Sequence, residues 1–182
     1  MEKARCKWCN VKNPLYIKYH DEEWGVPVYD DHILLEFLIL EPFQAGLSWE
    51  TVLNKREDFR LEFSGFDAKK IIQYDEEKIK NMLQNPKIIR NRRKIEAAIN
   101  NTKIFIEIQK EWGTFSDYIW HFTKKEIVYE TGKTSSPLSD DISKDMKKRG
   151  MKFIGTTTVY AYLQAIGVIN SHDEICFMYK KR

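Results

Sequence analysis

The chain has 182 residues, with 30 Lys and Arg against 27 Asp and Glu and a formal net charge of +3. That length suits one domain with a sizeable core, and a hydrophobic fraction of 42% excludes a disordered chain. No apolar run approaches the roughly 18 residues of a membrane span, nothing resembles a secretory signal, and an odd set of three cysteines makes no disulfide framework. A cytoplasmic protein with no membrane partner is expected. Gly-rich phosphate loops, a dinucleotide fingerprint and a nucleophile elbow are absent, which argues against nucleotide-driven transfer and acyl hydrolysis.

The periodicity is helical nearly throughout. Ile33, Leu34, Phe37 and Leu38 fall on one helical face. Ser48 is placed to cap the next helix, with Leu47 before it and Val52 four positions into it as a hydrophobic staple. Tyr74, Asp75 and Ile79 repeat that pattern, and a helix carrying Ile79 and Leu83 stops at Asn85-Pro86. Beyond Ile88 and Ile89 a longer helix starts and presents Ile95, Ala98, Ile99, Thr102 and Ile106 on one face. Thr114 leads Asp117 by three and caps a short helix. Only Glu126 to Glu130 reads as extended. Ser139, before Asp140 and Asp141, opens a helix whose basic end reaches Gly150; Thr156 to Ile166 forms the last helix, stopped by Gly167. The expectation is an all-α protein with two helical lobes and a cleft between them.

Three constellations carry chemistry. The first is the start of the long helix, where Arg90, Arg92, Arg93 and Lys94 surround a helix N-terminus. Helix–hairpin–helix modules bind DNA phosphates there through backbone amides and adjacent bases, without reading sequence. The usual tight Gly-x-Gly turn is missing, and a solvated basic helix start is the plainer reading. The cluster Lys147 to Lys152 is either a further phosphate contact or, more simply, a well-charged helix end.

The second constellation joins the two ends. Cys6 and Cys9 form a Cys-x-x-Cys, His20 follows, and His172 and Cys176 are spaced to share one helix face. Thiolate and imidazole are preferred zinc ligands in closed tetrahedral sites. Five candidates compete for four positions, and spacing does not choose among them.

The third is aromatic. Trp8, Tyr16, Tyr19, Trp24, Phe43 and Trp49 crowd the first third of the chain, with Glu41 among them. Aromatic faces and one acid make a receptor for a flat cationic heterocycle. Pattern alone favours a plain aromatic core with Glu41 turned to solvent.

The segments Pro14 to Pro27, Leu40 to Trp49 and Lys147 to Thr157, in that order, resemble the DNA-3-methyladenine glycosylase I (Tag) family over almost the whole chain. The resemblance implies one helix–hairpin–helix glycosylase domain over 1–182. A central hairpin lobe of about 30–135 would join a second helical lobe, built from both ends of the chain and clipped by structural zinc. It implies Cys6, His20, His172 and Cys176 as zinc ligands and leaves Cys9 outside. It further implies Glu41 and Tyr19 as the groups that hydrogen-bond the base, and Trp49, Trp8, Tyr16 and Trp24 as the base pocket. Gln44, Gly46 and Leu47 would belong to the plug that fills the gap left by a flipped nucleotide. Pro42 and Phe43 depart from the family pattern. The substrate would be 3-methyladenine in double-stranded alkylated DNA, released by a monofunctional hydrolysis that leaves an abasic site. The usual catalytic Asp after the hairpin is missing, and Asp117 is given no catalytic role. A Schiff-base role for Lys94 in a lyase is the alternative among enzymes; a non-catalytic zinc-clipped DNA-binding module is the alternative outside them. Nothing points to an oligomer, so a monomer is expected.

Overall fold

The computed structural model describes residues 3–180. In chain order it contains α1 (Pro14–Glu22), α2 (Asp31–Gln44), α3 (Trp49–Asn54), α4 (Arg56–Glu62), a 3-10 turn (Ser64–Phe66) and α5 (Ala68–Ile71). There follow α6 (Glu76–Gln84), α7 (Arg92–Trp112), α8 (Phe115–His121), β1 (Val128–Tyr129), α9 (Pro137–Lys148), α10 (Thr156–Ala165) and β2 (Ile169–Asn170). The caps are side chains able to accept an orphan N–H. Asn13 accepts from Leu15, Asp30 from His32, Ser48 from Thr51, Asp75 from Lys78 and Thr114 from Asp117. One expectation moves by three residues: Ser136 is the N-cap of α9, and Ser139 is the reciprocal partner of its capping box.

The larger departure is α2. A one-sided apolar stripe was expected, but Leu34 to Phe43 are all buried, and Ile33, placed on that stripe, is partly exposed. A helix buried on all sides is the hydrophobic centre of its fold. α3, α7, α8 and α10 surround it. The extended stretch is also shorter than expected. β1 pairs in parallel with β2, Val128 opposite Ile169 and Tyr129 opposite Asn170.

The chain ends meet around α1 and β2. Gly25 N–H donates to the Gln164 carbonyl and Val28 N–H to the Ile166 carbonyl. Gly167, at φ +72°, lies so close that a Cβ there would sit 2.2 Å from the Val26 carbonyl carbon. Phe177 N–H donates to the Ala4 carbonyl and Lys7 N–H to Asp173.

The hairpin between α6 and α7 is built without Gly-x-Gly. Asn85 accepts from Lys87 N–H and donates to Glu62, while Ile88 is buried as an anchor. A tight turn follows, with Asn91 N–H on the Ile89 carbonyl, and Asn91 caps α7 by accepting from Lys94 N–H. Lys55, between α3 and α4, donates to the carbonyls of Pro86 and Lys87. Side chains and an external lysine thus supply what glycine provides elsewhere.

Candidate active site and candidate metal centre

Glu41 leaves α2 one turn before its end and enters a cavity of about 520 Å³. Tyr16 and Tyr19 come from α1, Trp49 opens α3, and Trp8 and Trp24 flank α1. The predicted aromatic residues therefore converge, apart from Phe43. Phe43 turns the other way and packs edge-on against Phe59, 4.8 Å between ring centres. Inside the pocket Tyr19 and Trp49 lie 5.3 Å apart, and Trp8 packs against Tyr16 at 5.3 Å and Trp24 at 4.7 Å.

Glu41 is only 4% exposed, so the solvent-facing reading is wrong. Its Oε2 and the Trp49 Nε1 are buried without hydrogen-bond partners among the described residues. The other buried acid of α2, Glu36, is fully served: Arg56 Nε donates to it at 2.6 Å and Arg60 Nε at 2.9 Å. Glu41 has no such cation among the described residues, and burial pushes its carboxyl up to about 8. The Tyr19 hydroxyl is raised as well, first by burial and then by the charge of Glu41. Such a site favours whatever brings positive charge and N–H donors to Glu41.

Sequence reasoning missed part of the site. Phe37 stacks behind Trp49 and contacts Tyr19, and the Arg56 guanidinium lies 5.0 Å from its ring centre while bonded to Glu36 and Glu23. Gln164, Ser171, Asp173 and the segment 132–134 complete the wall. Gln164 was the one detectable signal, a polar amide within the run of apolar and tyrosine residues that ends α10.

Beside the pocket, Cys6, His20, His172 and Cys176 are all buried, with their ligand atoms within 4.8 Å of one another. Three sulfur–nitrogen separations, Cys6 to His172, Cys176 to His20 and Cys176 to His172, are each 3.5 Å. A tetrahedron with legs of about 2.3 Å to sulfur and about 2.05 Å to nitrogen has such edges of about 3.6 Å. The surroundings fit a metal too. His20 Nδ1 meets Asp21 at 2.8 Å, itself gripped twice by Arg5, and His172 Nε2 meets the Trp24 carbonyl. Backbone N–H groups of Asp173 and Met178 point at the two sulfurs. Cys9 is apart, its thiol on the Tyr16 carbonyl. The cluster touches the pocket through Trp8, 5.2 Å from His20, and Trp24, 4.7 Å from His172.

The predicted basic residues separate. Arg90 and Arg93 are exposed and carry no ion pair among the described residues. Arg92 is held by Glu76 and Glu96. Lys94 differs from expectation: it is 6% exposed and points inward, its Nζ donating to the carbonyls of Phe43 at 3.0 Å and Ala45 at 2.7 Å. The reason is position, since the third residue of α7 faces the core beside Ile95. Gln44 ends α2, and Gly46 and Leu47 lie in the turn that follows. Gly46 has φ +82°, and Leu47 is 45% exposed.

The methyladenine glycosylase family profile matches residues 8–179. The chain belongs to the methyladenine glycosylase family. It is 42% identical over 181 residues to DNA-3-methyladenine glycosylase 1 of Escherichia coli K12, covering 96% of each chain. The crystal structure of a 3-methyladenine DNA glycosylase I superposes with a TM-score of 0.93 at 43% identity, covering 97% of this chain and 100% of the other. The 3-methyladenine DNA glycosylase I of Staphylococcus aureus, solved for the basis of 3-methyladenine recognition, superposes at 0.92 with 32% identity, over 98% and 100%.

Proposed function

We propose that this protein is a monofunctional DNA glycosylase that removes 3-methyladenine from alkylated duplex DNA. One observation carries the reading. Glu41 is a buried acid with no cation beside it among the described residues, in an aromatic cavity of about 520 Å³. The relatives' names supply the matching base, and methylation at N3 makes that base cationic while it is attached to the sugar.

The target nucleotide leaves the stack, because its glycosidic bond is out of reach inside the duplex. Gln44, Gly46 and Leu47 fill the gap. Trp49 stacks on the flipped base, Tyr19 and Glu41 hydrogen-bond it, and Trp8, Tyr16 and Trp24 close the wall. The positive charge of the base draws Glu41 into its ionised form, an advantage that neutral adenine lacks. The C1′–N bond breaks, its electron pair goes with the base, which departs as neutral 3-methyladenine, and water adds to C1′ and releases one proton to solvent, leaving a hydroxyl on the abasic sugar. The cationic leaving group needs little acid catalysis, so positioning and electrostatic fit supply the rate. The exposed arginines Arg90 and Arg93, with the amides at the start of α7, hold the flanking phosphates.

Zinc suits the Cys6–His20–His172–Cys176 set as a structural ion that ties both chain ends to the pocket wall; its chemistry there is cross-linking. A monomer acting in the compartment that holds the DNA completes the proposal. The test is excision from methylated duplex with identification of the released base. Glu41→Gln and Glu41→Ala are expected to lose activity; unchanged release of 3-methyladenine by both would overturn the assignment. The lyase alternative is disfavoured by the Lys94 amine, which is buried and committed to two carbonyls. Borohydride is expected to trap no protein–DNA adduct.

A further inference from the structure

Lys94 is a buried cation that the proposed mechanism does not use. No carboxylate pairs with it among the described residues, and its two acceptors are carbonyls at the end of α2. Those carbonyls lie where a helix has no N–H of its own to offer, so an ammonium there is a cap delivered from another helix. For packing alone, an apolar side chain of similar length serves a buried position as well or better.

The connection reaches in two directions. Toward the pocket, Phe43 and Ala45 bracket Gln44, and the turn continues through Gly46 to Leu47, whose N–H closes on the Gln44 carbonyl at 2.7 Å. The same turn joins Glu41 on α2 to Trp49 on α3. Toward the surface, Lys94 is the third residue of α7 and adjoins the exposed Arg93. We propose that Lys94 is a positioning residue that fastens the 44–47 turn to the start of α7, so that the phosphate grip of the hairpin sets the depth at which Leu47 enters the duplex. The inference rests on reading that turn as the plug. Phosphate binding and base displacement would then be one rigid device, and Lys94 would act on extrusion without touching base or phosphate.

The test uses the full-length protein and three readouts: affinity for undamaged duplex at fixed salt, quenching of tryptophan fluorescence by free 3-methyladenine, and single-turnover excision by saturating enzyme. Lys94→Met is expected to leave duplex affinity within about threefold and free-base affinity within about twofold, while slowing excision at least about tenfold. Leu47→Ala is expected to give the same signature, and the double variant to be no slower than the slower single one. A structural role alone would move all three readouts together, and that result overturns the proposal. So does unchanged excision, or losses that multiply in the double variant. Lys94→Gln, which keeps a neutral NH2 donor on a shorter side chain, should fall between wild type and Lys94→Met and decides the matter if the methionine variant does not fold; excision at the wild-type rate would overturn the proposal. If Leu47→Ala excises normally, the plug reading fails by itself; if only Leu47→Ala is slow, the coupling fails and the plug stands.

Discussion

Glu36 and Glu41 are carried by the same helix and buried alike, yet they meet opposite electrostatic fates. Arg56 and Arg60 neutralise Glu36, whereas Glu41 faces the aromatic cavity and its carboxyl is pushed up to about 8 by burial. The thermodynamic consequence has a definite sign. A carboxyl that holds its proton more tightly when folded than its ordinary 4.5 favours the fold at low pH and loses that advantage as pH rises toward 8. At pH 7 the loss is on the order of 3 kcal/mol, so Glu41→Gln should melt higher than wild type at pH 7 by several degrees and hardly differ at pH 4. Thermal melts at both pH values check this. Binding a cationic base requires the ionised acid, so kcat/KM on methylated DNA should climb by up to about tenfold per pH unit and level off near pH 8. A profile flat from pH 6 to 8 would show that Glu41 is already ionised in the free enzyme. The composition of the pocket was legible in the sequence, but the orientation of Glu41 was not, because a single acid after an apolar run fits either face of a helix.

At the scale of elements, the hairpin and the joined chain ends give separate expectations. Arg90 and Arg93 are exposed without ion pairs among the described residues, so each alanine substitution should lower the slope of log affinity against log salt by about 0.9, equally for all sequences. Arg92→Ala should cost less, since its guanidinium already sits between Glu76 and Glu96. The expected Gly-x-Gly turn was missing because Asn85, Ile88, Asn91 and the remote Lys55 replace it, and Lys55 cannot be assigned to that turn from local sequence. Gly167 follows the end of α10 as the helix stop its sequence position implies, and it has a second, long-range duty. A Cβ would collide with the Val26 backbone, so Gly167→Ala should destabilise by about 2–4 kcal/mol, measurable by denaturant titration.

Across the whole molecule, the Cys–His cluster ties residues near both ends of the chain and supports the pocket through Trp8 and Trp24. Metal removal is therefore expected to act at a distance. Protein stripped with a strong chelator should melt at lower temperature and bind free 3-methyladenine more weakly, and one equivalent of zinc should restore both. Metal analysis of purified protein that found none, with an unchanged melt after chelation, would remove the zinc assignment.

The helices, most of their caps, and the residue types of pocket and cluster are legible in the order of the residues alone. Those features depend on local spacing, and side-chain acceptors, prolines and apolar periods act within a turn or two. Several ordered segments also determined the family. Long-range packing settles which buried acid lacks a partner, that α2 is buried on every side and that Lys94 points inward, and it brings Cys6 rather than Cys9 to the cluster, as the resemblance implies. Each of these depends on a neighbour far along the chain: Arg56 for Glu36, His172 for Cys6, α10 for α2, and the Phe43 and Ala45 carbonyls for Lys94. The charge and apolarity of a residue are written in its own side chain, but its solvation and its partners are set by what the rest of the chain folds against it.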